Sequence, residues 1–138
     1  MSTPHKNKTF ATFLALFFGF IGAHRFYLRG ALDRLGILHV TCLPITGMVI
    51  GLAPQADPFF KALPILVSAV VGFLEALIIG LSSDEKFDAA FNAQSGNKSA
   101  SSWILAVLLV VTMMLGTTTL IAVMSRLNDL LYTGGAYG

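Results

Sequence analysis

The stretch GFIGAHRFYLRG, residues 19–30, runs from an apolar segment into a basic and aromatic one. Arginine and aromatic side chains are typical of the depth at which lipid headgroups lie, and Gly30 allows the backbone to turn. The sequence therefore predicts a turn at the membrane surface between two spanning helices. The side chains of this turn that we expect to meet a lipid headgroup or a partner protein are His24, Arg25, Phe26, Tyr27 and Arg29.

Composition supports a membrane location for the whole chain. Of its 138 residues, 55% are hydrophobic and only 12% are charged, and the mean hydropathy is +0.76. Soluble domains carry about 25% charged residues, so this chain lacks the polar surface that a soluble protein needs. The nine lysines and arginines are scattered, so no basic patch indicates nucleic acid as a partner. The single cysteine, Cys42, excludes an internal disulfide.

Four apolar segments predict an all-α integral membrane protein, a bundle of about four transmembrane helices in two antiparallel hairpins. The first segment, residues 10–23, reaches only about 21 Å as a helix, against a hydrocarbon core of about 30 Å. An arrangement with three spans and a re-entrant first segment therefore stays open. The same segment also has the length of a secretory signal, although Ile21 stands where cleavage favours a small residue.

The expected organisation follows these segments along the chain. We expect a basic N-terminal tail (1–9), a two-helix hairpin (10–52), a proline-containing connection (53–62) and a third helix (63–81). After these we expect a polar loop with an amphipathic interfacial helix (82–102), a fourth helix (103–125) and a C-terminal tail (126–138).

Glu75 is the ionisable residue in the middle of the third segment. Small residues recur there at every fourth position, which predicts a face for close helix packing. At 100° per residue, Glu75 points within about 20° of Ser68, so we expect it at a helix interface. A buried carboxyl is either a packing group or part of a proton or cation relay. The expected partners of Glu75 are Arg34, His39, Thr112 and Thr119, and the small face comprises Ser68, Gly72, Ala76 and Gly80.

Glycines in the other segments also indicate close packing, within one chain or between chains. Gly19 and Gly22 thin the first helix, Gly47 and Gly51 form a G-x-x-x-G pattern in the second, and Gly116 lies in the fourth.

Other polar residues favour structural roles. Asp33 suits a helix N-terminus and Arg34 extends to the membrane surface. His39 and Cys42 share a helix face, but two ligands do not make a metal site, so we expect neither metal nor cofactor. No nucleophile with an adjacent base is visible, so we expect no enzymatic activity.

The pattern GFIGAHRFYLRG…LGILHV resembles the two-transmembrane-helix domain family over roughly residues 6–52. Arg29 stands where that family usually has glycine, and GMVIGLAPQAD lacks its usual closing tryptophan. The resemblance implies a membrane hairpin and no established chemistry, and the bacterial pattern implies the inner membrane. The residues that carry it are Gly19, Gly22, His24, Arg25, Phe26, Tyr27, Leu28, Gly36, Ile37 and Leu38.

Three functional hypotheses follow. The first is a small non-enzymatic membrane protein that works by helix–helix association, as a homo-oligomer or as an accessory or immunity-type subunit of a membrane partner. The second is a proton- or cation-conducting oligomer that uses Glu75. The third is a protein that binds anionic lipid through Arg25, Tyr27 and Arg29.

The distribution of basic residues bears on the orientation in the membrane. With four spans, one side of the membrane carries four basic residues and the other side carries five. The basic turn is short, which favours a cytoplasmic location for it and places both termini outside.

Overall fold

The computed structural model describes residues 3–137, and every regular element in that range is helical. A 3₁₀ turn, Gly19–Ile21, links the first two helices. The six α-helices, in chain order, are α1 (Lys8–Phe18), α2 (Ala23–Arg29), α3 (Arg34–Leu52), α4 (Pro58–Leu81), α5 (Asp84–Phe91) and α6 (Trp103–Tyr132).

Side-chain caps explain where most of these helices begin. Asn7, Asp33, Asp57 and Ser83 each accept a hydrogen bond from a backbone N–H in the first turn of α1, α3, α4 and α5. Such a cap satisfies one of the N–H groups that a helix start leaves free. Because Asp57 caps α4 and Pro58 occupies its first turn, where proline is tolerated, α4 begins five residues before the expected position 63.

The other expected bounds also shift. Lys8 and Thr9 belong to α1 and not to an N-terminal tail. The second long helix of the expected 10–52 hairpin is α3, which begins at Arg34. The fourth helix continues beyond residue 125 to Tyr132, where Arg126 forms ion pairs with Asp57 and with Asp129. The short amphipathic helix before α6 is present, with Phe87 buried.

Three helices, α3, α4 and α6, are long and apolar enough to cross a membrane, and residues 8–21 form a shorter apolar helix. The sequence predicted about four spanning helices and left open an arrangement of three spans with a re-entrant first segment. The first apolar stretch stays short because the chain reverses after residue 21 at Gly22, which has a positive φ of 71°. Glycine adopts this backbone conformation without the steric cost that other residues meet.

The first two helices form a hairpin that returns to its starting end. Helix α1 runs antiparallel to α4, since Lys8 Nζ lies 2.5 Å from the Ser82 carbonyl and Ser68 Oγ donates to the Phe20 carbonyl at 2.6 Å. Helix α2 then runs back, and the Asn7 amide donates to the Tyr27 hydroxyl at 2.8 Å. The expectation that residues 24–30 lie at the far end of a spanning helix was therefore wrong.

Helix α4 is the centre of the bundle, where α1, the 3₁₀ turn, α3 and α6 all pack against it. Its small residues Ser68, Gly72, Ala76 and Gly80 are all buried. Gly72 and Gly19 touch through their backbones, because a Cβ on either would lie 2.8 Å from the other's main chain. This close approach brings residues 19–25 against α4.

The remaining glycines differ in their surroundings. Gly22 faces Gly36 and His39 of α3, and Gly116 faces Phe73 of α4. Gly47 and Gly51 are exposed, and a Cβ on either would meet nothing within 4 Å. Among residues 3–137, no helix therefore packs against the G-x-x-x-G pattern of α3.

Candidate functional site: a buried ion cluster around Glu75

Four ionisable side chains from three helices meet inside the bundle, at a level where α2, α3 and α4 converge. Glu75 of α4 is the only carboxylate among them, and its side chain is 12% exposed. Its Oε1 accepts from Arg25 Nε at 2.7 Å and also from the Arg25 Nη2 group. Its Oε2 lies 2.5 Å from His24 Nε2 and 3.3 Å from His39 Nε2. Both carboxylate oxygens are therefore engaged.

A second layer of contacts orients these groups. The Ser68 hydroxyl donates to the Phe20 carbonyl, so it accepts from His39 Nδ1, 2.7 Å away. In this network His39 carries a proton on Nδ1, and its Nε2 faces Glu75. On the other side, Arg25 Nη1 lies 3.5 Å from an Asp33 oxygen that also accepts from the Gly36 amide. The N-terminal cap of α3 is thus joined to the cluster.

His24 departs from its expected position at the surface, since it is only 1% exposed. The cause is that residues 23–29 form a helix and not an open turn, which points His24 inward at α4. Its Nδ1 is buried and has no hydrogen-bond partner in the described residues. Sequence reasoning missed His24 and Arg25 as partners of Glu75, although they are basic groups at the end of an apolar run.

The rest of the expected surface motif is divided between packing and exposure. Phe26 packs against Gly36, and the Tyr27 ring contacts Phe10 edge-on with centroids 5.2 Å apart. Arg29 is exposed, and its guanidinium lies 5.7 Å from the centre of the Phe91 ring.

Among the expected partners of Glu75, only His39 reaches it. Arg34 is exposed at the start of α3. Thr112 is buried in α6, where its hydroxyl donates to the Leu108 carbonyl. A hydroxyl bonded to its own helix in this way is already satisfied, so it needs no carboxylate.

A second polar cluster holds α1 against the loop before α6. Lys8 Nζ lies 2.9 Å from Asp84 Oδ1 and 3.2 Å from Ser101 Oγ, and the Ser101 amide donates to Asp84 Oδ2. Hydrogen bonds from the Ser101 hydroxyl and from Lys8 lower the pKa of Asp84 to about 2. Together with bonds from Ser99 to Asp88, these contacts attach the loop before α6 to α5.

The chemistry of the Glu75 cluster is that of an ionic lock between helices. A carboxylate that accepts from an arginine fork and faces two imidazoles is well compensated for its loss of water. No group of three or more His, Cys, Asp or Glu residues in the described range is arranged to hold a metal ion. The cluster joins α2 and α3 to α4 through charge, in addition to apolar packing.

Comparison with known proteins identifies the N-terminal part of this arrangement. Residues 4–52, a little over a third of the chain, match the family model of the TM2 domain. The expected resemblance to the two-transmembrane-helix family is thereby confirmed for that segment. No curated protein and no solved structure matches the chain. The TM2 match and the three long apolar helices together identify the chain as a small membrane protein.

The TM2 domain ends at α3 and so contains His24, Arg25 and His39 but not Glu75. The carboxylate that these three side chains surround comes from α4, outside the domain. The lock therefore attaches the TM2 domain to the rest of the chain.

Replacing Glu75 by Gln tests the lock. We expect the free energy of unfolding in detergent to fall by about 1.5 to 3 kcal/mol, because the partly buried Arg25 loses its nearer counter-charge and keeps only Asp33, 3.5 Å away. The measurement is equilibrium unfolding by a denaturing detergent. The matched control is Glu85→Gln, the same chemical change at an exposed position of α5. Equal stability of the two variants would contradict the role of Glu75 as a lock.

Proposed function

We propose that this chain is a non-enzymatic membrane protein that works by helix–helix association, with α3 as the associating helix. The observation that carries the proposal is the open space at Gly47 and Gly51. Elsewhere in the chain, helical glycines let a neighbouring segment pack closely against the backbone, as Gly19 and Gly72 do for each other. The pair on α3 lies four residues apart on an exposed face, the spacing by which two membrane helices come into backbone contact.

The environment of α3 supports this proposal. Among residues 3–137 its main packing partners are α4, the 3₁₀ turn and α2, and its buried residues are Gly36 and His39, both near its N-terminus. From there to Leu52 the helix presents large apolar side chains such as Met48 and Ile50, which are more than half exposed. A partner helix, from a second copy or from another membrane protein, fits this surface.

Conduction through Glu75 has less support than association. Both oxygens of Glu75 are engaged, and the path through His39 and Ser68 ends at the Phe20 carbonyl, which has no proton to pass on. A relay needs a further group that takes up the proton, so the geometry favours a lock.

We further propose that three helices cross the membrane and that the α1–α2 hairpin enters and leaves at one face. Seven basic residues then lie at the end that holds the N-terminus, and two lie at the other end, Lys61 and Arg126. By the positive-inside rule, the seven mark the cytoplasmic side of the cell membrane, the inner membrane in a bacterium. The seven are Lys6, Lys8, Arg25, Arg29, Arg34, Lys86 and Lys98.

Cysteine labelling tests this topology in a Cys42→Ser background. We expect Thr3→Cys and Leu32→Cys, both exposed, to react with an impermeant maleimide in inside-out vesicles and not in spheroplasts. Tyr137→Cys, 87% exposed after α6, should show the opposite pattern. Labelling of Thr3→Cys and Leu32→Cys from opposite sides would overturn the re-entrant hairpin and restore four spans.

Substitution of the two glycines tests association. In native mass spectrometry of the gently extracted protein, we expect assemblies of the chain with itself or with a co-purifying protein. Gly47→Leu with Gly51→Leu should lower the assembled fraction at least about tenfold, because leucine prevents close backbone approach. The control is Ala106→Leu, a small-to-large change at an exposed position of α6. A monomeric parent, or equal assembly in all variants, would contradict the proposal.

A further inference from the structure

A cleft at the N-terminal end of the bundle has features that neither the lock nor the association of α3 uses. It lies between α2, the end of α4, and α5, and its volume is about 240 Å³. His24, Arg25 and Glu75 contribute to its lining, together with apolar side chains that include Leu28, Ile78 and Phe91. The cleft thus combines an apolar wall with nearby charge.

The charge available at this cleft is positive. Glu75 is engaged by Arg25, so neither of these contributes a free charge. Arg29 and Lys86 also line the cleft, both are exposed, and neither forms an ion pair within residues 3–137. Because its guanidinium lies over the Phe91 ring, Arg29 is held at the cleft by a cation–π contact. Two free cations beside one cavity complement an anionic group.

The apolar wall continues out of the cleft along α4. Ile78 is 70% exposed, and the exposed residues Val71, Leu74 and Leu81 lie on the same side of the helix, three or four positions apart. This stripe runs from the cleft along the outside of a helix that is apolar enough to span a membrane. A small anion such as inorganic phosphate would use the cations and leave the stripe unused.

We propose that the cleft binds one anionic phospholipid, with its phosphate between Arg29 and Lys86 and an acyl chain along the Ile78 stripe of α4. The position suits this occupant, because α4 ends at Leu81 and the amphipathic α5 follows directly, as expected at headgroup depth. Arg25, which the sequence placed in a lipid-binding turn, is occupied by Glu75 and takes no part.

Native mass spectrometry of the full chain tests this site with phosphatidylglycerol and phosphatidylcholine in equal amounts. We expect the parent to retain one phosphatidylglycerol. Arg29→Gln with Lys86→Gln should weaken its retention about thirtyfold, the effect of two cations beside an anionic surface. The control, Lys6→Gln with Lys98→Gln, removes two cations at the same end of the bundle but outside the cleft, and we expect it to retain the lipid.

Three results would overturn the proposal. One is equal retention of the two lipids by the parent, which would mean that the cations select nothing. Another is an equal loss in the two double variants, which would assign the effect to general surface charge. The third is unchanged retention in the Arg29 and Lys86 variant. Both cations are exposed, so we expect the double variant to unfold at the same detergent concentration as the parent.

Discussion

The ion cluster at Glu75 is the interaction on which the arrangement of the helices depends. A carboxylate in the middle of an apolar helix is costly unless it is paired, and here Arg25 supplies the counter-charge while His24 and His39 face the second carboxylate oxygen. These partners come from α2 and α3, so the cost of burying Glu75 is met only when both helices lie against α4. Since the three partners lie in the segment that matches the TM2 domain and Glu75 does not, the cluster joins two parts of the sequence.

Glycine makes this geometry accessible. At Gly19 and Gly72 two backbones come into direct contact, which brings the end of α1 against the middle of α4. At Gly22 the chain reverses through a positive φ, so that α2 returns and presents His24 and Arg25 to Glu75. The same reversal brings Tyr27 to the start of α1 and collects most of the basic residues at one end of the bundle. The α1–α2 hairpin and the charge asymmetry therefore have one structural cause.

Sequence reasoning predicted the features that depend on local pattern. The repeat at Ser68, Gly72, Ala76 and Gly80 predicts a buried face from helical periodicity alone, and all four residues are buried. The position of α2 depends instead on a contact between residues fifty positions apart, Arg25 and Glu75. Hydropathy evaluates each segment separately, so it assigned the basic run after Ala23 to the opposite membrane surface. Nothing in the local sequence distinguishes a glycine that thins a helix from one that reverses the chain, as Gly22 does.

A double-mutant cycle between Arg25 and Glu75 tests the central claim most directly. The free energy of unfolding would be measured for the parent, for Arg25→Gln, for Glu75→Gln and for the variant with both changes. If the pair is the lock, the double variant is less destabilised than the sum of the single variants, by at least about 1 kcal/mol. If the two effects add within about 0.5 kcal/mol, the two side chains are not coupled and the account of the fold is wrong.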